Sequence, residues 1–184
     1  MLIKLLPESE REHLIELAKL LALSDNPLLW DGKTADEFTS STNLNALAIQ
    51  KSEQEQALIE DLEQSVGSRS VWYSSTVEER LVEELKAFPI PKVEQPENRI
   101  QAATVVLKEL LKTLEPETPA TPKIMLFELL LVALRDGHIS NIEWLLLKTF
   151  QQHFRLEDFI FDDLLERAET LNLEVSKTIS IVLE

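Results

Sequence analysis

Apolar residues along this chain recur at intervals of three and four rather than two, which is the signature of helices that bury one face. In the first segment Leu14, Leu17, Ala18 and Leu21 share a face, Ser9 and Glu12 have the spacing of a capping box, and the helix is expected to end near Asp25. Residues 26–48 lose the pattern: Pro27, Gly32 and the run Thr39 to Asn43 predict an inserted loop with one short helical turn. Ser52 with Glu55 opens a second helix through Leu58, Leu62 and Val66, closed by Gly67. Residues 68–75 read as loop. Ser75 with Glu78 then starts a helix carrying Leu81, Leu85 and Phe88 that Pro89 and Pro91 stop.

The second half repeats the theme with cleaner periodicity. Pro96 falls in the first turn of a helix whose seam is Ile100, Ala103, Leu107, Leu110 and Leu114. Pro116, Pro119 and Pro122 make a stiff connector, after which Thr121 is expected to cap an apolar helix running from Pro122 to Arg135 and closed by Gly137. Ser140 with Glu143 opens the next, with Ile142, Leu145, Leu146, Thr149 and Phe150 on one face. A last helix over about 157–171 buries Phe161, Leu164, Leu165, Ala168 and Leu171. The tail from Val175 to Leu183 is expected to form one helical turn against the bundle. The sum is an all-α, compact bundle of about seven helices, a single domain over residues 1–184. Its first half covers about 1–88 and its second about 96–172.

Composition sharpens this reading. Three glycines leave little material for tight hairpins, and 44% hydrophobic residues suffice for a core. Thirty-three Asp and Glu against 18 Lys and Arg give a net charge of −15, so a nucleic-acid backbone would be repelled and no nucleic-acid partner is expected. The absence of cysteine removes disulfides, thiolate metal sites and thiol nucleophiles, which points to a cytoplasmic setting. The longest charge-free apolar run in the body, Leu129 to Leu134, is far short of the ~20 residues a membrane span needs, and the first residues resemble no leader or lipid anchor.

Two stretches align with each other. Leu21-Ala22-Leu23-Ser24-Asp25 matches Val132-Ala133-Leu134-Arg135-Asp136, and Ile49 with Glu53 matches Ile139 with Glu143, the first copy being stretched by the insert. A duplication of this kind would give two helix pairs related by a pseudo-twofold, with Asp25 and Asp136 at equivalent turns. The second copy, from Leu129 through Asp136-Gly137-His138-Ile139-Ser140-Asn141-Ile142-Glu143 to Phe154-Arg155-Leu156, resembles the TerB tellurite-resistance family and the wider TerB-like superfamily, mainly over residues 124–171. The resemblance implies a compact helical, non-enzymatic component of a stress-response system whose acidic helix ends take a divalent metal. The chain departs from the family pattern at Arg135 and His138, and it has no glycine after Asp25. Lacking cysteine, it supplies no thiols for tellurite chemistry.

The candidate metal residues are therefore Asp136 and Glu143, with Asp25 and Glu53 as their counterparts, and the ion is calcium or another hard divalent cation. Asp136, Gly137, Ile139 and Glu143 mimic the back half of an EF-hand loop. Its front half would be Val132 and Leu134, which offer no side-chain oxygen, so an EF-hand is excluded. Beside the metal reading stands a simpler one, in which Glu143 completes a capping box with Ser140 and Gly137 is a helix C-cap. Asp31, Asp36 and Glu37 read as a solvated acidic loop with Trp30 tucked against the bundle. Glu10-x-x-His13 has di-iron spacing but no second copy. His153 is expected at a partly buried helix end and His138 in solvent. No phosphate loop, nucleophile elbow or zinc-protease motif occurs, so no enzyme is expected. The alternative function is a protein-interaction scaffold that needs no metal, and protein partners are expected in either case.

Overall fold

The computed structural model describes residues 2–51, 57, 60–64 and 76–183. A short 3-10 turn, Leu2–Leu5, leads into α1 (Glu8–Leu23). Residues 57 and 60–64 are helical. Beyond them follow α2 (Val77–Lys86), the short α3 (Ile90–Val93), α4 (Pro96–Lys112), α5 (Thr121–Ala133), α6 (Asn141–His153) and α7 (Asp158–Leu183). The architecture is all-α, and α1 lies at its centre, packed on α2, α4 and α5; α6 closes over α4 and α5, and α7 lies along α5. The core is one apolar cluster running from Ile3 and Leu6 through Leu81, Leu85, Val106, Leu130 and Phe150 to Phe161 and Ala168.

The insert is more ordered than its sequence suggests. β1 (Leu28–Trp30) pairs antiparallel with β2 (Leu47–Ile49), Leu28 facing Ile49 and Trp30 facing Leu47. Asp31 and Gly32 both take positive φ, 54° and 74°, so the chain reverses immediately after Trp30, and Trp30 and Lys33 exchange backbone hydrogen bonds. A 3-10 turn at Ala35–Glu37 supplies the one short helical turn expected there. Trp30 is buried, with the Phe38 ring edge-on at 5.3 Å, while Asp31, Asp36 and Glu37 face solvent.

Several helix starts differ from expectation. The Ser9–Glu12 box does not open α1, whose N-cap is Pro7; the first turn starts two residues earlier and the Pro7 carbonyl accepts from Arg11 N–H. At α2 the box is Thr76 with Glu79 rather than Ser75 with Glu78. Thr121 is the first residue of α5 and not its cap; its hydroxyl donates to Glu10. Leu145 is exposed and Leu147 takes the buried place on α6. The box at Ser52 and Glu55, Gly67 and the Trp72-Tyr73 pair lie outside the described residues.

The largest difference is α7, which runs unbroken to Leu183 instead of ending near 171. No glycine or proline interrupts residues 158–183, and Thr170, Ser176, Thr178 and Ser180 each donate a hydroxyl to the carbonyl four residues back. Hydroxyls satisfied this way sit in a helix at little cost. Leu171, expected in the core, is 45% exposed.

Two buried carboxylates act as caps across the bundle. Glu10 on α1 accepts from Glu117 N–H at 2.6 Å and from the Thr121 hydroxyl at 2.9 Å, tying the proline-rich connector to α1. Glu128 on α5 accepts from the backbone N–H groups of Leu2 and Ile3, which have no helical partner.

Candidate functional site

The two aspartate turns, far apart in sequence, open onto one cleft. α1 stops at Ser24, whose hydroxyl donates to the Leu21 carbonyl at 2.8 Å, and Asp25 and Asn26 follow before Pro27 prevents further helix. α5 tightens into a 3-10 turn over Leu134–Asp136, then Gly137 takes a left-handed φ of 86° that returns its N–H to the Leu134 carbonyl at 2.9 Å. Because α1 and α5 pack side by side, both ends meet. The cleft has a volume of about 200 Å³, and its walls include Asp25, Asn26, Arg135, Asp136, His138, Ser140 and Glu143.

The floor and the rim differ in chemistry. Glu143 is buried, while Asp25 and Asp136 are exposed at the rim. The capping box at α6 is formed: Ser140 N–H donates to Glu143 Oε2 at 2.8 Å, and Glu143 N–H donates to the Ser140 hydroxyl at 3.3 Å. One carboxylate oxygen of Glu143 is thus engaged, which leaves the other. Burial pushes the Glu143 carboxyl up to about 7 from its ordinary 4.5, with the charges of Asp25 and Asp136 adding to the rise and the Ser140 hydrogen bonds opposing it. The bland reading of Glu143 as a cap is accordingly correct, and two further carboxylates, Asp25 and Asp136, stand at the rim of the same cleft.

Each turn is also clamped from outside. Arg99 on α4 is buried, and its Nη2 donates to the Ser24 carbonyl at 2.7 Å and the Leu23 carbonyl at 3.5 Å, capping the C-terminus of α1 beside Asp25. Burial pulls the Arg99 guanidinium below its ordinary value, while the charges of Asp25 and Glu94 work the other way. Asn172 on α7 donates to the Leu134 carbonyl at 2.9 Å and holds the Asp136 turn. Sequence periodicity had no means of finding either residue: Arg99 reads as an ordinary charged helix position and Asn172 as a polar break in an apolar stripe.

Of the four candidate ligands, Asp25, Asp136 and Glu143 share the cleft, and Glu53 lies outside the described residues. Among the described residues, no group of three acidic or histidine side chains stands close enough to hold one ion with the side chains as they are placed. A shared ion therefore requires Asp25 and Asp136, both exposed, to change rotamer. His138 lines the cleft and is exposed as expected, whereas His153 is exposed rather than partly buried. His13 does not join Glu10 in any metal set; it bridges the Ser9 carbonyl at 3.0 Å and the Thr113 hydroxyl at 3.2 Å. No helix among the described residues is long and apolar enough to cross a membrane.

No family model, no curated protein and no solved structure matches this chain.

Proposed function

We propose that this chain is a non-enzymatic helical domain of TerB-like type that takes a hard divalent cation in the cleft between its two acidic turns. One observation carries the reading: Asp25 and Asp136, at aligned positions of two helices distant in sequence, line the same cleft as the buried Glu143. Like charges gathered in this way repel, by up to roughly 4 kcal/mol for a pair 4 Å apart at an effective dielectric of 20, and a cation turns that repulsion into attraction. The donors are carboxylate oxygens with the Ser140 hydroxyl and the Asn26 amide nearby, which suits calcium, magnesium or manganese better than a soft metal. A role in a stress-response system of the tellurite-resistance kind follows from the sequence resemblance alone.

Isothermal titration calorimetry with calcium, magnesium, manganese and zinc tests the proposal. The expected result is one ion per chain, with binding weakened at least tenfold in Asp25→Asn/Asp136→Asn. Absence of heat with all four ions, or unchanged binding in the double variant, removes it. The second reading, a scaffold that recruits proteins without an ion, draws on the exposed apolar side chains of α7.

A further inference from the structure

Two Asp-Gly steps occur in this chain, Asp31-Gly32 and Asp136-Gly137, and both are exposed with open space around the glycine. An aspartyl side chain reaches the next backbone nitrogen most easily when glycine supplies it, because no Cβ stands in the way. What holds that nitrogen differs between the two. Gly137 N–H donates to the Leu134 carbonyl at 2.9 Å, and the same carbonyl accepts from Asn172 at 2.9 Å. Turning the 136–137 peptide therefore breaks the cap that ends α5. Among the described residues, neither the Gly32 N–H nor the Asp31 carbonyl is engaged, so the 31–32 peptide is unheld on both sides.

The turn geometry lets that peptide move by itself. Asp31 and Gly32, with φ 54° and 74°, are the central residues of a type I′ turn. Trp30 N–H donates to the Lys33 carbonyl at 2.8 Å and Lys33 N–H to the Trp30 carbonyl at 3.0 Å, which pins the two ends. Types I′ and II′ share those ends and the positive φ of the first central residue; a flip of the middle peptide takes its ψ from about 30° to about −120°. At the second value the Gly32 nitrogen lies on the same side as the Asp31 Cβ, within reach of its carboxyl. Gly32 accepts the negative φ of type II′ freely, whereas Asp31 is strained there, so the flipped state is minor and its chemistry slow.

We propose that Asp31-Gly32 is a site of spontaneous isomerisation in the folded protein, at which aspartate becomes isoaspartate, and that Asp136-Gly137 is shielded from it by its cap. The Gly32 nitrogen attacks Cγ of the protonated Asp31 carboxyl; an N–Cγ bond forms, the Cγ–OH bond breaks, and the hydroxyl leaves with the nitrogen's proton as water. Water then opens the five-membered imide. Attack at Cγ restores aspartate, and attack at the main-chain carbonyl carbon leaves the chain linked through Cβ and Cγ, with a free α-carboxylate. No oxidant or reductant takes part. The product adds one carbon to the turn that follows the buried Trp30.

Ageing the full chain at neutral pH and physiological temperature tests this. Isoaspartate is mapped by proteolysis and electron-transfer mass spectrometry, and checked by methyl transfer with a protein isoaspartyl methyltransferase. Conversion should be at least tenfold faster at position 31 than at position 136 in the folded protein, and the two rates should become similar in guanidinium chloride. Asp31→Asn, which keeps a residue suited to the left-handed turn, should deamidate at least tenfold faster than Asp136→Asn, read from the mass gained as water replaces ammonia. A smaller ratio in the folded protein overturns the proposal. So does an absence of conversion at position 31 while the unfolded chain converts, or a ratio that persists in denaturant.

Discussion

The Asp25 turn and the Asp136 turn occupy aligned positions in the sequence and face one cleft, yet they are built by different means. At Asp136 the chain caps itself: Gly137 adopts φ 86° and returns its N–H to Leu134, so the turn is largely local. At Asp25 there is no glycine, and the freed carbonyls of Leu23 and Ser24 are met instead by the buried guanidinium of Arg99, from a helix more than seventy positions away in the chain. The Asp136 turn is closed mainly where it stands, with one bond from Asn172 added, whereas the Asp25 turn leans on Arg99 of α4 for its last carbonyls. The comparison teaches that equivalent acidic positions need not share equivalent local structure. A tertiary cap can replace a missing glycine and at the same time bring a positive charge up beside the aspartate.

The largest expected effect lies at the residue both turns share. Glu143 binds its proton more tightly in the folded chain, at about 7 against an ordinary 4.5, so the folded state is favoured by protonation and stability falls as pH rises between those values. Glu143→Gln keeps an acceptor for Ser140 N–H and removes the charge. Denaturant unfolding should show it equal to wild type near pH 4.5 and up to about 3 kcal/mol more stable at pH 8. A variant that is no more stable at pH 8 contradicts the burial of a charged Glu143 carboxylate. Next in size, Arg99→Met should cost about 2–3 kcal/mol by stripping the buried cap from α1, and hydrogen exchange should show the loss concentrated around residues 21–25. Gly137→Ala should cost about 1 kcal/mol, because alanine resists the left-handed φ while open space surrounds the position. If Gly137→Ala proved as costly as Arg99→Met, the contrast between a local and a tertiary cap would fail. The smallest effect separates the two rim charges: each of Asp25→Asn and Asp136→Asn should lower the titration midpoint of Glu143 followed by carbon-13 NMR, Asp25→Asn by more.

Much of this arrangement was legible in the sequence, for identifiable reasons. The helices of the second half follow from apolar spacing, and the Ser140–Glu143 box formed as its spacing dictates because no competing Ser or Thr stands one residue away. At α2 two overlapping boxes exist, Ser75 with Glu78 and Thr76 with Glu79; only one can form, and local pattern does not choose. The strand pair in the insert was not legible: Asp31-Gly32 turns the chain back onto Lys33, and sixteen residues separate β1 from β2, so the segment reads as loop. For the site, the alignment of Asp25 with Asp136 picked out two turns that line one cleft, and the Glu143 cap followed from its spacing to Ser140. Their convergence was not legible, because it depends on α1 and α5 lying side by side. The roles of Arg99 and Asn172 were hidden for the same reason: each acts on a carbonyl that sequence brings nowhere near it.

Manganese relaxation tests the shared cleft most directly. Substoichiometric Mn²⁺ added to nitrogen-15-labelled protein broadens the amide signals nearest the bound ion. The account predicts that signals around Asp25 and those around Asp136 and Glu143 fade together, and that they persist in Asp25→Asn/Asp136→Asn. Broadening at one turn alone, or confined to the solvated acids Asp31, Asp36 and Glu37, would contradict it.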